Sequence, residues 1–203
     1  MHGVLGRTEL AGNAGTATKT DFVELPSQML EEWMWDKEML EKVSAHYKTG
    51  KPLPEELIKS KIALKNFDSG RFVIRQVMLS QLALEYYLDG ADKDTNVILR
   101  KVQNSLSGRH EHFDLNNHFQ ASFGHLIGYG SKYYGYLWSR VFALDAFNEI
   151  KKHGLLNYEI GKKWRNIVLG YGGSKDPNEL LVEFLGREPR IDAFIKELDL
   201  NKE

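Results

Sequence analysis

A chain of 203 residues with 27 Lys and Arg against 28 Asp and Glu carries a formal charge of −1, which makes no general electrostatic case for nucleic acid or an anionic membrane surface as partner. It has no cysteine, so disulfides, thiolate catalysis and cysteine-based zinc sites are excluded, and the composition suits a reducing, cytoplasmic setting. At 203 residues the chain is long enough for one substantial core or two small ones, its 42% of hydrophobic residues is ordinary for a folded protein, and no apolar run approaches the roughly 20 residues that a membrane span needs.

Residues 1–20, "MHGVLGRTELAGNAGTATKT", carry Gly, Ala and Thr without a period. They read as an irregular lead-in, exposed or borrowed, that buries little on its own. The segment lacks the basic start and apolar middle of a signal peptide. From 21 to 203 the pattern is helical. "PSQMLEEWMWDKEMLEKVSAHYKTG" (26–50) has Pro26 where a first helical turn tolerates it and Gly50 where a helix stops. Met29, Trp33, Met34 and Leu40 supply its apolar stripe. "PEELIKSKIALKNF" (54–67) opens with acids that suit the positive end of the helix dipole. "SGRFVIRQVMLSQLALEYYLDG" (69–90) is the most apolar segment and is predicted as the central helix. "DTNVILRKVQNSLSG" (94–108) predicts a shorter amphipathic helix, and 109–130 a loop. "SKYYGYLWSRVFALDAFNEIKKHG" (131–154) predicts a long helix with Lys151, Lys152 and His153 at its negative end. "YEIGKKWRNIVLGYGG" (158–173) and "DPNELLVEFLG" (176–186) complete the set, each closed by glycine. No strand-like alternation competes, so the predicted fold class is all-α, one domain or one lobe of something larger.

Three groups of residues carry possible chemistry. Glu24 stands at the mouth of a helix, with Glu31 two turns on and Asp21 nearby. Such acids stabilise a helix dipole, or they make a metal ligand with a second carboxylate behind it. His110 and His112 in "GRHEH" (108–112) have an i, i+2 spacing that does not share a helix face, which suits solvated side chains better than a metal site. The stretch "GHLIGYGSKYYGYLW" (124–138) gathers one imidazole, four tyrosines and four glycines. Tyr133 and Tyr136 are helical neighbours, and Tyr134 points elsewhere. His125 lies upstream across Gly128 and Gly130, on a loop able to carry it towards those hydroxyls. The tyrosines are either core aromatics or, with His125, hydrogen-bond donors for a developing oxyanion.

The combination resembles the thimet oligopeptidase family of zinc metallopeptidases, peptidase family M3, from about residue 1 to about 199. The blocks that carry the resemblance are "TDFVELPSQMLEEW" (20–33), "GRFVIRQVMLSQL" (70–82), "FGHLIGYGSKYYGYLWSRVFALDAF" (123–147) and "GGSKDPNELLVEFLGREPRIDAF" (172–194), in order and at family-like spacing. "HLIGYGSKYY" is closer to the intermediate-peptidase type and "DFVELPSQMLEEW" to thimet oligopeptidase itself. The resemblance implies the C-terminal helical lobe of an oligopeptidase that hydrolyses short peptides with one zinc ion. It further implies that Glu24 is a zinc ligand, that Glu31 shapes substrate binding, and that His125, Tyr133 and Tyr136 stabilise the tetrahedral oxyanion and orient the peptide. The glycine-rich segment with Gly128 and Gly130 would be a mobile flap over substrate, and Glu24 would lie near His125 and the tyrosine pair.

One departure matters. The seven histidines, at 2, 46, 110, 112, 118, 125 and 153, include no H-x-x-x-H pair, whereas the family's metal motif reads H-E-F-G-H-x-M-H. Met1 and His2 match its last two residues, so the resemblance predicts that two zinc ligands and the general base precede residue 1. Three protein ligands fix a catalytic zinc, so the isolated chain is expected to bind zinc weakly or not at all and to be inactive alone. Apolar faces meant for the missing N-terminal part would favour self-association. The alternative is a non-catalytic helical fragment that binds peptide or associates with itself.

Overall fold

The computed structural model describes residues 2–88, 90, 92–107 and 118–200. The helices are α1 (His2–Leu5), α2 (Thr20–Val23), α3 (Leu25–Glu31), α4 (Lys37–Val43), α5 (Glu55–Ala63), α6 (Ser69–Tyr87), α7 (Thr95–Ser107), α8 (Phe119–Ser122), α9 (His125–Gly128), α10 (Gly135–His153), α11 (Tyr158–Trp164), α12 (Pro177–Leu185) and α13 (Asp192–Glu197). No strand occurs among the described residues, and the fold class is all-α as the sequence predicts. Among the same residues no helix is long and apolar enough to cross a membrane. The chain forms two compact units, one of Met1–Phe67 with Ser139–Glu203 and one of Asp68–Trp138.

In the first unit the core joins α2 and α3 (Phe22, Leu25, Met29) to α10 and α12. Ala143, Ala146, Phe147 and Ile150 recur at three- and four-residue steps, so they form one face of α10, and all four are buried. Helix α12 is set by its ends. Asp176 accepts from the Asn178 backbone N–H at 2.9 Å, Pro177 fits the first turn, and Gly186 ends the helix at φ 71°. Five of its nine residues are buried, among them Phe184, whose ring stands edge-on to Trp164 at 5.0 Å. The buried Asp145 carboxylate holds Arg187 through two bonds of 2.8 and 2.6 Å, which pins the turn after α12 to α10.

The predicted single helix over 26–50 is broken. Residues Glu32–Trp35 form a 3₁₀ turn, Asp36 caps α4 through the Met39 N–H, and α4 ends at Val43 rather than Gly50. Gly50 instead closes a turn onto the His46 carbonyl, at φ 68°. Met34, predicted inside, is exposed. The break lets Glu32, only 2% exposed, face a buried ion network. Arg140 Nη2 lies 2.9 Å and Lys65 Nζ 2.5 Å from its carboxylate, and both cations also reach Glu197, at 2.6 and 3.2 Å.

The lead-in is irregular but not unattached. A π turn over Arg165–Leu169 presents the Gly170 carbonyl to the Arg7 N–H at 2.7 Å. The Gly173 N–H reaches the Asn13 carbonyl at 2.8 Å, and Lys19 pairs with Asp176 at 2.5 Å. Backbones approach so closely that a Cβ on Gly173 would fall 1.7 Å from the Ala17 carbonyl oxygen. Gly172 and Gly173, with no side chain, are what allow this contact.

In the second unit α6 packs on α7 around Leu79, Leu82, Ala83, Leu99 and Val102, with Phe123 and Tyr133 in the same core. Asp94 caps α7 through the Asn96 and Val97 N–H groups. Helix α6 is less central than predicted. Only Leu79, Leu82 and Ala83 are buried, while Phe72 and Ile74 are about half exposed. The predicted loop of 109–130 contains α8 and α9, and the helix expected from 131 begins at Gly135. The sequence missed α13, a six-residue helix whose Glu197 closes the ion network.

Candidate active site

The site builds up from a run of tight turns in the second unit. Phe123 is buried and fixes the start. His125 opens α9, so it stands on a helical turn rather than on the free loop the sequence suggests. The Tyr129 N–H closes that turn on the His125 carbonyl at 2.8 Å, and the Tyr87 hydroxyl donates to the Leu126 carbonyl. Gly130 then turns the chain in the left-handed region, φ 58°. The Lys132 N–H bonds the Tyr129 carbonyl at 3.0 Å, and the Tyr136 N–H bonds that of Tyr133 at 3.2 Å.

These turns bring His125, Tyr133 and Tyr136 together. The imidazole centroid is 5.2 Å from Tyr133 and 5.5 Å from Tyr136, edge to face in both pairs, and the two phenol rings are 5.0 Å apart. Tyr129 is a fourth member that sequence reasoning missed. It stacks on Tyr136 at 5.1 Å and lies 5.7 Å from His125. Its four-residue spacing from His125 is the available signal, which the glycine-rich pattern of the segment hides. Tyr134 is exposed.

Tyr133 belongs to both alternatives that the sequence left open. It is 7% exposed and part of the core. Burial, with Tyr136 adding to it, raises its hydroxyl above the ordinary phenol range, against the opposing effects of Arg75 and of a hydrogen bond with Gln76. The hydroxyl therefore stays protonated at neutral pH and retains a proton to donate. Tyr136 is half-buried and His125 exposed. A cavity of about 580 Å³ opens beside them, lined by Arg75, Gln76, Phe123, His125, Tyr129 and Tyr133 among others. Gly128 also lines it and is exposed. Nothing lies within 4 Å of a Cβ built on Gly128, so only Gly130 is required to be glycine by its backbone.

The predicted acids lie in the first unit. Glu24 is the junction residue between α2 and α3 and is half-buried. Ser27 Oγ donates to its carbonyl at 2.9 Å and approaches its carboxylate at 3.4 Å. Glu31 is exposed, 4.0 Å from Arg140. The buried acid of this region is its neighbour Glu32, which the pattern did not single out because its partners lie far along the chain. Asp21 contributes its carbonyl, which accepts from Ser139 Oγ at 2.8 Å. His110 and His112 lie outside the described residues. Among the described residues no group of three His, Asp or Glu side chains is arranged to hold a metal ion. Glu24 supplies one candidate ligand where a zinc site uses three or four, so the described donor set does not by itself fit a zinc ion.

The described site is an imidazole and phenols gathered beside a cavity on an all-helical scaffold, and the comparison with known proteins gives the family. The chain matches Peptidase family M3 over residues 1–200 and belongs to that family. It is 36% identical to Oligopeptidase A of Escherichia coli over 97% of this chain and 29% of that protein. It is 38% identical to Saccharolysin of Saccharomyces cerevisiae, over 98% of this chain and 29% of that protein. Mitochondrial intermediate peptidase of Botryotinia fuckeliana is 35% identical over 91% of this chain and 24% of its own length. The chain thus spans less than a third of the length of these relatives.

Proposed function

We propose that this chain is the C-terminal part of an oligopeptidase-type zinc metalloendopeptidase that hydrolyses short peptides, working in the cytoplasm. The observation that supports this best is the cluster of His125, Tyr133 and Tyr136, with centroids 5.0 to 5.5 Å apart, beside an open cavity. In this reading Tyr136 and His125 donate to the oxygen of the scissile carbonyl as it gains negative charge, and Tyr133 holds the imidazole edge-on while offering a second phenol. Donors already in place need no reorganisation as the charge develops. Gly128 and Gly130 belong to the segment that closes over the peptide, with Gly130 supplying its turn, and Glu31 meets substrate from the exposed end of α3. Glu24 is the one zinc ligand proposed from this chain. Because one carboxylate does not hold a catalytic metal, the isolated chain is proposed to bind zinc weakly or not at all and to be inactive alone.

The test is to join or co-express the chain with the remaining region of Oligopeptidase A and to assay peptides of short length. Cleavage should appear in the combination and not in the chain alone. Glu24→Gln should abolish it, with partial rescue by excess zinc. A combination that folds, binds zinc and cleaves nothing contradicts the proposal. A second reading, a non-catalytic fragment that binds peptide or associates with itself, is favoured by the half-exposed Phe72 and Ile74 of α6 and by Phe67, which is 79% exposed. Sedimentation velocity separates it, since a monomer at high concentration counts against self-association.

A further inference from the structure

We propose that the cavity beside His125 is a carboxylate-recognising subsite in which Arg75 binds the anion and the aromatic wall seats the adjoining side chain. The inference rests on the reading of this lobe as peptide-handling, and it adds a specificity determinant that the ring cluster does not supply.

Arg75 lies on α6, exposed, and its side chain lines the 580 Å³ cavity together with Phe119, Phe123, Tyr129 and Tyr133. No Asp or Glu is among the lining residues. Among the described ion pairs, the guanidinium groups of Arg140 and Arg187 are each taken by buried carboxylates, whereas no described acid pairs with Arg75. Arg71, one turn earlier at the four-residue spacing that shares a helix face, adds a second positive charge without lining the cavity. Gln76, the next residue, and Tyr133 line the same cavity beside it.

These features specify a ligand. A guanidinium presents paired N–H groups that match the two oxygens of a carboxylate. Aromatic faces beside it cover an apolar or aromatic side chain. The volume lies within the usual range for small-ligand clefts. A peptide offers such a carboxylate either as its C-terminus or as an Asp or Glu side chain.

The test titrates the chain with three probes: N-acetyl-Ala-Phe, its C-terminal amide, and N-acetyl-Ala-Glu-amide, followed by the imidazole proton resonances of His125. We expect at least one carboxylate-bearing probe to bind about tenfold more tightly than the Phe amide. Preference for N-acetyl-Ala-Phe assigns the subsite to a C-terminus, and preference for the Glu probe assigns it to an acidic side chain. Arg75→Gln should erase the preference, Arg75→Lys should retain part of it, and Arg71→Gln should keep most of it. Equal binding of acids and amide, binding of no probe, or an unchanged preference in Arg75→Gln overturns the proposal. Its failure is distinct from failure of the proposed function: a peptidase without acid preference loses only the subsite, and acid preference without peptide cleavage loses only the catalytic reading.

Discussion

The ring of His125 stands edge-on to the ring of Tyr133, 5.2 Å away at 83°, although one is exposed and the other buried in a helical core. The buried phenol thereby gives the imidazole a fixed wall, which Phe123, Tyr129 and Tyr136 complete. Removing only the hydroxyl keeps that packing and takes away a polar group that faces the cavity shared with Gln76. Tyr133→Phe should therefore cost about 1 kcal/mol in urea unfolding and leave the His125 ring-proton shifts close to those of the parent. A large change in those shifts would mean that the hydroxyl, not the ring, positions the imidazole.

Glu32 and Glu31 are adjacent in sequence and opposite in consequence. Arg140→Ala leaves the Glu32 carboxylate, 2% exposed, with Lys65 as its remaining cation, and should destabilise the fold by about 3–5 kcal/mol. Glu31→Ala removes a solvated carboxylate 4.0 Å from Arg140 and should change stability by less than about 0.5 kcal/mol. Urea unfolding of both variants checks the contrast, and equal effects would refute the assignment of the network to Glu32.

Gly128 and Gly130 are both glycines of the same segment, yet only one has a backbone that demands it. A methyl group at Gly128 meets open space, and Gly130 has φ 58°. Gly128→Ala should be neutral or mildly stabilising, and Gly130→Ala should cost on the order of 1–2 kcal/mol. Thermal unfolding of the pair reads this directly, with the opposite ranking as the contradicting result.

His2 is buried, and neither ring nitrogen has a hydrogen-bond partner among the described residues. Burial lowers its pKa below 6.5. An unfolded chain therefore takes up this proton at a higher pH than the folded one, and stability from a neutral His2 is complete above pH 6.5 and is lost as the pH falls through the lowered folded value. His2→Phe should flatten the slope of unfolding free energy with pH below 6.5. Parallel slopes in the two proteins would show that His2 does not titrate across folding.

The sequence made the helices legible where capping residues and apolar spacing agree. Helix α12 is the clearest case, with Asp176 and Pro177 before it and Gly186 after it. It failed where a distant partner decides the local structure. The break at Glu32–Trp35 depends on Lys65, Arg140 and Glu197, and no local pattern announces an inward-facing acid. The lead-in looked unattached because its partner is backbone, at Gly170 and Gly173, and backbone pairing leaves little trace in side-chain pattern. The grouping of His125, Tyr133 and Tyr136 is legible through their spacing and their resemblance to a family, while that of Tyr129 is not, because it depends on a helical turn that the glycine-rich pattern hides.

The central claim is that the phenols of this segment stabilise charge in a transition state, and the most direct measurement is the kinetics of Tyr136→Phe in the complemented enzyme. A donor aimed at the oxyanion acts mainly in the transition state, so kcat should fall about 10²–10³-fold with KM little changed. A kcat within about twofold of the parent would contradict the account and leave Tyr136 as a packing residue beside Tyr129 and Tyr133.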